Sequence, residues 1–219
     1  MTTTQIDYEK VFRLFSQKDG LRQEMNNPFK QNGKYFATDA YSMIFMPIEK
    51  AELNFVAQSK PDATAIIPRE SNCNIEIKVA DIERQLIPDM IDETIEEEIM
   101  KKCTECDGDK VVECDLGHDH ECVECDGTGE TEDVISKPTG KKIPNPSKLF
   151  KTLGTGETGF QYCQLRRLID ACKMMGVETI TKTFGTPRKG NVFQCGETII
   201  IVMPALIDEL QPDVTTIII

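Results

Sequence analysis

Lys34 to Pro47 reads KYFATDAYSMIFMP, two apolar-rich segments on either side of the turn residues Asp39 and Ala40. A second stretch, Gly190 to Pro204, contains NVFQCGETIIIVMP and turns at Cys195-Gly196-Glu197. Both have the β-branched and aromatic content of paired strands. Shifting the first by 157 positions puts Phe36 on Phe193, Ile44 on Ile201, Met46 on Met203 and Pro47 on Pro204. The same shift carries Tyr8, Val11, Phe12 and Phe15 onto Leu165, Leu168, Ile169 and Cys172. Each of these sets has the i, i+3, i+4, i+7 spacing of an amphipathic helix. Coincidence between two β-rich segments is the alternative, and an offset shared by helix and hairpin argues against it. The chain reads as an internal duplication, helix then strand hairpin in each copy, interrupted by an insert.

The insert carries Cys103-x-x-Cys106 and Cys122-x-x-Cys125, with fifteen residues between the pairs. Both continue into Asp-Gly, as CTECDG and CVECDGTG. This is the spacing of a four-thiolate zinc site, because each x-x turn aims two sulfurs at one point. Buried or disulfide-bonded cysteine is the alternative, but almost no large apolar residues surround the knuckles. A closed four-thiolate zinc has no open position, so its role is structural, and so polar a stretch folds only with metal. Cys114, His118 and His120 offer a possible additional ligand set, or are simply loop residues near the tip of the module. As alternate residues the two histidines would point to opposite sides of an extended strand.

The flanks are expected to differ from the insert in charge. Of the net −12, residues 81 to 133 hold 20 acidic and 4 basic side chains, while the rest hold 17 acidic and 21 basic. Residues 1–80 are expected to form the first half of one domain, 81–135 an acidic helix and the zinc module, and 136–219 the second half. IEIKV at 75–79 reads as a strand. ADIERQLIPDMIDETIEEEIMKK reads as helix interrupted near Pro88, and SKPTGKKIPNPSK, with its three prolines, as a linker or loop. The start MTTTQIDYEK lacks an apolar export segment, no apolar run approaches a membrane span, and nine cysteines is an odd number. These features lead us to expect a reducing, cytoplasmic setting. The C-terminal DVTTIII is β-prone; it either adds an edge strand to a neighbour or completes its own sheet.

Catalytic constellations are missing. There is no G-x-S-x-G and no H-E-x-x-H, and GTGETG at 154–159 lacks the Gly-Lys-Ser/Thr end of a phosphate loop. The run DETIEEEIM reads as a solvated face rather than an acid/base pair. The expectation is a protein that is not an enzyme. Lys10 and Arg13 in the first helix, and Arg166, Arg167 and Lys173 in the second, form cationic faces. These either meet an extended polyanion or are ordinary solvated faces, with Glu9 and Asp170 interrupting them.

YFATDAYSMIFMP resembles the strand pair of a half-domain of the DNA sliding clamps, in particular the bacterial β-clamp type. The second half follows a clamp half in order: a lead strand, the helix QLRRLIDACKMMG, the strand VETITKTF, a turn at Pro187 to Gly190, then NVFQC and TIIIVMP. The resemblance implies an α+β fold, a clamp-like domain of two helix-plus-antiparallel-strand halves related by a pseudo-twofold axis. The insert is similar to the cysteine-rich domain of DnaJ-type chaperones, whose repeat is C-x-x-C-x-G-x-G. CVECDGTG matches that repeat fully; CTECDGDK has Lys110 in place of the last glycine. The inner two knuckles of that domain are reduced here to Cys114 and DLGHDHE. With no His-Pro-Asp signature, a co-chaperone function does not carry over.

The clamp resemblance implies non-specific binding of duplex DNA, or tethering of partners in replication or repair, with Lys10, Arg13, Arg166, Arg167 and Lys173 as phosphate contacts. The acidic zinc module would project as a rigid arm towards a basic protein partner. Ring clamps use about six such domains, so a ring would require a homo-oligomer. The rival expectation is a zinc-dependent interaction module on a clamp-derived scaffold without DNA binding.

Overall fold

The structure, a computed structural model, describes residues 6–17, 22–59, 62–68, 70–114, 117–153, 158–205 and 214–218. The chain divides into two compact units, Met1–Asp89 with Asn145–Ile219, and Met90–Pro144. In chain order, the elements before the insert are α1 (Tyr8–Arg13), β1 (Phe29–Gln31), β2 (Lys34–Thr38), β3 (Ser42–Pro47), β4 (Val56–Ala57), β5 (Ile75–Lys78) and α2 (Val79–Gln85). The insert holds β6 (Met90–Lys102), β7 (Val111–Glu113), β8 (Asp119–Glu121) and β9 (Glu130–Pro144). The chain then forms β10 (Leu149–Leu153), β11 (Thr158–Gln161), α3 (Tyr162–Met174), β12 (Thr179–Thr186), β13 (Lys189–Cys195), β14 (Thr198–Val202) and β15 (Thr215–Ile218). Sheet predominates over helix among the described residues. No helix among them is long and apolar enough to cross a membrane.

The larger unit is built on one sheet in the order β4-β1-β2-β3-β14-β13-β12-β5. Its two halves, β1-β2-β3 and β14-β13-β12, meet at the antiparallel β3–β14 pair, where Ile44 faces Ile200. Strand side chains alternate between faces, and both faces are used. On one face Tyr35, Ala37, Ile44, Met46, Phe193, Ile200 and Val202 pack with Val11, Phe12 and Phe15, and with Leu165, Leu168, Ile169 and Cys172 of α3. The other face buries Phe29, Phe36, Met43, Phe45, Val192 and Ile201 under Ala63 and its neighbours. Burying each large apolar side chain contributes roughly 1.5–3 kcal/mol before entropy is counted. The helical face expected at 8, 11, 12 and 15 is present, though α1 itself ends at Arg13 and Phe15 is held by a tighter turn, Phe15 N–H donating to Phe12 O at 3.0 Å.

The duplication is present, but its register corrects the ungapped shift. At 157, Ile44 falls on Ile201 and Phe36 on Phe193, and each of those pairs lies on opposite faces of the sheet. At 156, Ile44 falls on Ile200, Met46 on Val202, Phe36 on Val192 and Met43 on Ile199, and faces match throughout. A strand has period two, so a slip of one residue exchanges its faces. The helices keep 157; the hairpins need 156. The turn residues agree: the two-residue loops are Ala40-Tyr41 and Gly196-Glu197, 156 apart, with φ of +74° at Ala40 and +59° at Gly196. Ala40→Gly is therefore expected to raise unfolding free energy by about 0.5–1 kcal/mol, since only glycine takes positive φ without strain. Urea denaturation showing no gain would mean the alanine is not strained.

Residues 215–218 complete the protein's own sheet. β15 lies parallel to β10, which pairs antiparallel with β11. Gln85 then closes the outer edge of β15: its Nε2 donates to Ile218 O, and Ile218 N–H donates to its Oε1, both at 2.9 Å.

In the smaller unit the predicted acidic helix is a strand. α2 ends at Gln85, and Met90–Lys102 pairs antiparallel with Glu130–Pro144. Glutamate favours helix, and Ile95 and Ile99, four apart, fit one helical face. They equally share one face of a strand, and the cross-strand ion pairs Glu97–Lys137 and Lys101–Asp133 hold it extended. The predicted linker is also strand as far as Pro144. Its prolines are tolerated because β9 is an edge strand, and a register irregularity between Asp92 and Thr94, with Gly140 at φ +80°, absorbs the remainder.

Candidate metal centre

The β7–β8 hairpin separates two knuckles of the same design. Gly108 N–H donates to Cys103 O and Asp109 N–H to Cys106 O; nineteen residues on, Gly127 N–H donates to Cys122 O and Thr128 N–H to Cys125 O. The two are locked reciprocally, Cys103 N–H donating to Gly129 O and Cys122 N–H to Lys110 O, each at 2.9 Å. Lys110, the departure from the glycine pattern, adopts φ +70° where Gly129 has +81°. At Gly129 a side chain would also strike Gly108 O, 2.8 Å from an added Cβ.

This arrangement brings the four sulfurs of Cys103, Cys106, Cys122 and Cys125 within 4.8 Å of one another, all four residues buried. Cys103 Sγ lies 3.8 Å from Cys122 Sγ, and Cys106 Sγ 3.8 Å from Cys125 Sγ. Four sulfurs at the usual Zn–S distance of about 2.3 Å form a tetrahedron with edges of about 3.8 Å, so the donor set fits such an ion. Gly129 N–H points at Cys125 Sγ at 3.2 Å, the kind of outer contact that stabilises a thiolate. Burial pushes the Cys122 thiol up to about 12. At Cys125 burial also pushes upward, but the Gly129 N–H and the neighbouring sulfurs bring the thiol down to about 7. Among the described residues the one apolar side chain packed against the cluster is half-buried Val112.

Cys114 sits where the β7–β8 hairpin turns, its N–H bonded to His118 O, and His118 and His120 are exposed. Among the described residues the four knuckle cysteines are the one group with ligand atoms converging for a metal, and these three residues are not brought together.

The structure gives most of the basic residues singled out in the sequence a carboxylate partner. Arg13 pairs with Glu9. Arg166 is shared between Asp170 and Glu83, and Lys173 also reaches Glu83 at 2.6 Å. Hydrogen bonds from Lys173 and then Arg166 hold the Glu83 carboxyl below its ordinary range. Arg167 bonds the Asp39 carboxylate and the Ser42 hydroxyl and lies over the Phe15 ring. Asp39 in turn accepts from Tyr41 N–H at 3.0 Å and Ser42 N–H at 2.7 Å, so the turn between β2 and β3 is fastened to α3. Lys10 makes no ion pair among the described residues; with Arg13, Arg167 and Tyr41 it lines an open pocket of about 600 Å³. The pairing of Glu83 and Asp39 with these basic residues is not visible in the sequence, because the partners lie more than 80 positions away.

No protein-family model and no curated protein matches the chain. Among solved structures, the chain is similar to the Helicobacter pylori β clamp bound to a DNA ligase peptide, at 10% identity and a TM-score of 0.50, over 92% of this chain and 63% of that one. It is also similar to the DNA polymerase III subunit β sliding clamp of Bartonella birtlesii bound to griselimycin, at 10% identity, TM-score 0.46, 91% of this chain and 64% of that one. The Pseudomonas aeruginosa sliding clamp follows at 13% identity, TM-score 0.45, 92% and 65%. The chain spans less than two thirds of the length of each of these clamps. The likeness is one of fold.

Proposed function

We propose that this chain is a clamp-type scaffold of DNA metabolism that associates with duplex DNA without reading its sequence and holds a protein partner, and that its inserted module is built on one structural zinc ion. The observation that supports the reading is the duplicated helix-and-hairpin architecture sharing one eight-stranded sheet, a fold like that of the Helicobacter pylori clamp. Zinc suits the donor set, since four thiolates in a tetrahedron select zinc or iron, and a closed set leaves no site for a reacting water. A ring would require several copies of the chain; size measurement in solution decides that part.

Of the five basic residues, we assign to phosphate Lys10, which has no ion pair among the described residues, and Arg13, whose partner Glu9 is only an exposed neighbour one helical turn away. Arg166, Arg167 and Lys173 are occupied in holding α2, α3 and the β2–β3 turn together. Two phosphate contacts per chain predict that log K falls with log salt at a slope of about −2. Anisotropy on a labelled duplex measures this, with Lys10→Glu expected to abolish binding. Absence of binding at low salt would remove the DNA half of the reading. The same ion pairs favour a second reading, a zinc-dependent interaction module on a clamp-derived scaffold that does not touch DNA.

A further inference from the structure

The β6–β9 ribbon presents a charge pattern that the fold does not use. It is a sheet of two strands, so β6 has an outer edge with no strand beside it among the described residues. On one face lie Ile95, Glu97, Ile99 and Lys101, with Lys137, Ile135, Asp133 and Thr131 opposite. The charges there are matched by the Glu97–Lys137 and Lys101–Asp133 pairs. On the other face lie Glu96, Glu98 and Met100, with Ser136, Val134 and Glu132 opposite. No ion pair engages Glu96, Glu98, Glu130 or Glu132 among the described residues, and Lys102, opposite Glu130, is held by Asp107 at 2.8 Å. Met100 is 57% exposed, Val134 54% and Ile95 55%.

We infer that the outer edge of β6 is a docking site for an extended protein segment in which lysine or arginine alternates with apolar residues. A strand added along that edge would align its backbone with the unpaired N–H and C=O groups of β6. Its side chains would then alternate in the same way as those of β6. On one face they meet Ile95 and Ile99, where the charges are already matched, and apolar residues fit. On the other they meet Glu96 and Glu98, where cations fit. Opposite charges on adjacent strands stabilise and like charges destabilise. The same rule disfavours a second copy pairing through its own β6, which would set carboxylate against carboxylate.

This inference rests on the partner-holding part of the proposed function and not on DNA binding. The test uses the full chain with zinc supplied, and three labelled octapeptides of four lysines and four valine or isoleucine residues. One alternates the two kinds, one places the lysines in a single block, and one is the alternating peptide N-methylated along one edge. Anisotropy should show the alternating peptide binding at least about tenfold more tightly than the block peptide, with the N-methylated peptide weakened and β6 amides protected from hydrogen exchange. The Glu96→Lys/Glu98→Lys double variant should lose about tenfold or more, whereas Glu97→Gln should bind normally; circular dichroism confirms that the variants fold. Equal binding of the block peptide, or indifference to the double variant, would reduce the effect to polyelectrolyte adsorption and overturn the inference. Self-association that protects β6 would overturn it in favour of a second copy. Duplex binding measured on the same samples separates its failure from failure of the DNA reading.

Discussion

Replacing Cys122 by serine is expected to abolish stoichiometric zinc binding and to strip hydrogen-exchange protection from residues 103–129, while the eight-stranded sheet keeps its own. Cys122 is fully buried among the four converging sulfurs; serine keeps the backbone N–H that holds the Lys110 carbonyl, so what the substitution removes is the thiolate alone. Among the described residues the module has little else to fold around: the four cysteines and Val112 make up its cluster. Structural zinc supplies about 10–16 kcal/mol in small modules of this kind, far more than one half-buried valine. Acid should mimic the substitution. Protons compete with the metal for the thiolates, so zinc is retained at higher pH and released as pH falls. Chelation should have the same effect at constant pH. Cys114→Ser is the control, expected to keep full metal content because Cys114 lies outside the converging set. Metal analysis of the two variants decides the matter; a Cys122→Ser protein with its zinc intact would refute the assignment.

Arg167→Ala is expected to cost about 3 kcal/mol of stability in the sheet unit. The Arg167 side chain is 23% exposed and that of Asp39 13%. Loss of one partner from so enclosed a pair leaves a carboxylate short of its charge-assisted bond. The cation also leaves the face of Phe15. Asp39→Ala should cost a similar amount and also loosen the β2–β3 turn, which its Oδ1 organises. The two losses should be strongly non-additive in a double-mutant cycle. Urea denaturation provides the measurement, and a change under about 0.5 kcal/mol for Arg167→Ala would place the residue among ordinary surface cations. The same geometry warns against reading charge reversal at Arg166 or Arg167 as a probe of DNA contact, because the scaffold suffers first.

What the sequence revealed, and what it hid, follows from which interactions are local. The convergence of Cys103, Cys106, Cys122 and Cys125 was legible because each knuckle is a tight turn written in consecutive residues. So were the helical stripes at Tyr8 to Phe15 and Leu165 to Cys172, whose spacing records a single buried side. The hairpins were legible as hairpins, but not their register: Phe36 and Phe193 are alike in type, yet only pairing across β3 and β14 decides which face each occupies. DETIEEEIM reads as helix because Ile95 and Ile99 satisfy helix and strand alike, and the strand that settles the choice lies some forty residues on. Pro138 and Pro144 suggested a linker, since their tolerance depends on β9 being an edge. Arg166, Arg167 and Lys173 looked available because Glu83 and Asp39 are distant along the chain.

Asp89 and Asn145 flank the insert, and the structure joins them directly: Asn145 N–H donates to Asp89 O at 2.7 Å, and Lys148 reaches the Asp89 carboxylate at 2.7 Å. The scaffold therefore closes its own seam whatever is threaded between these two residues. Each doubling of an excursion between fixed ends costs only about 0.6 kcal/mol, so cargo at this point is cheap to lengthen, exchange or delete. The seam works as a socket, one into which evolution or an engineer can plug a different module without redrawing the sheet.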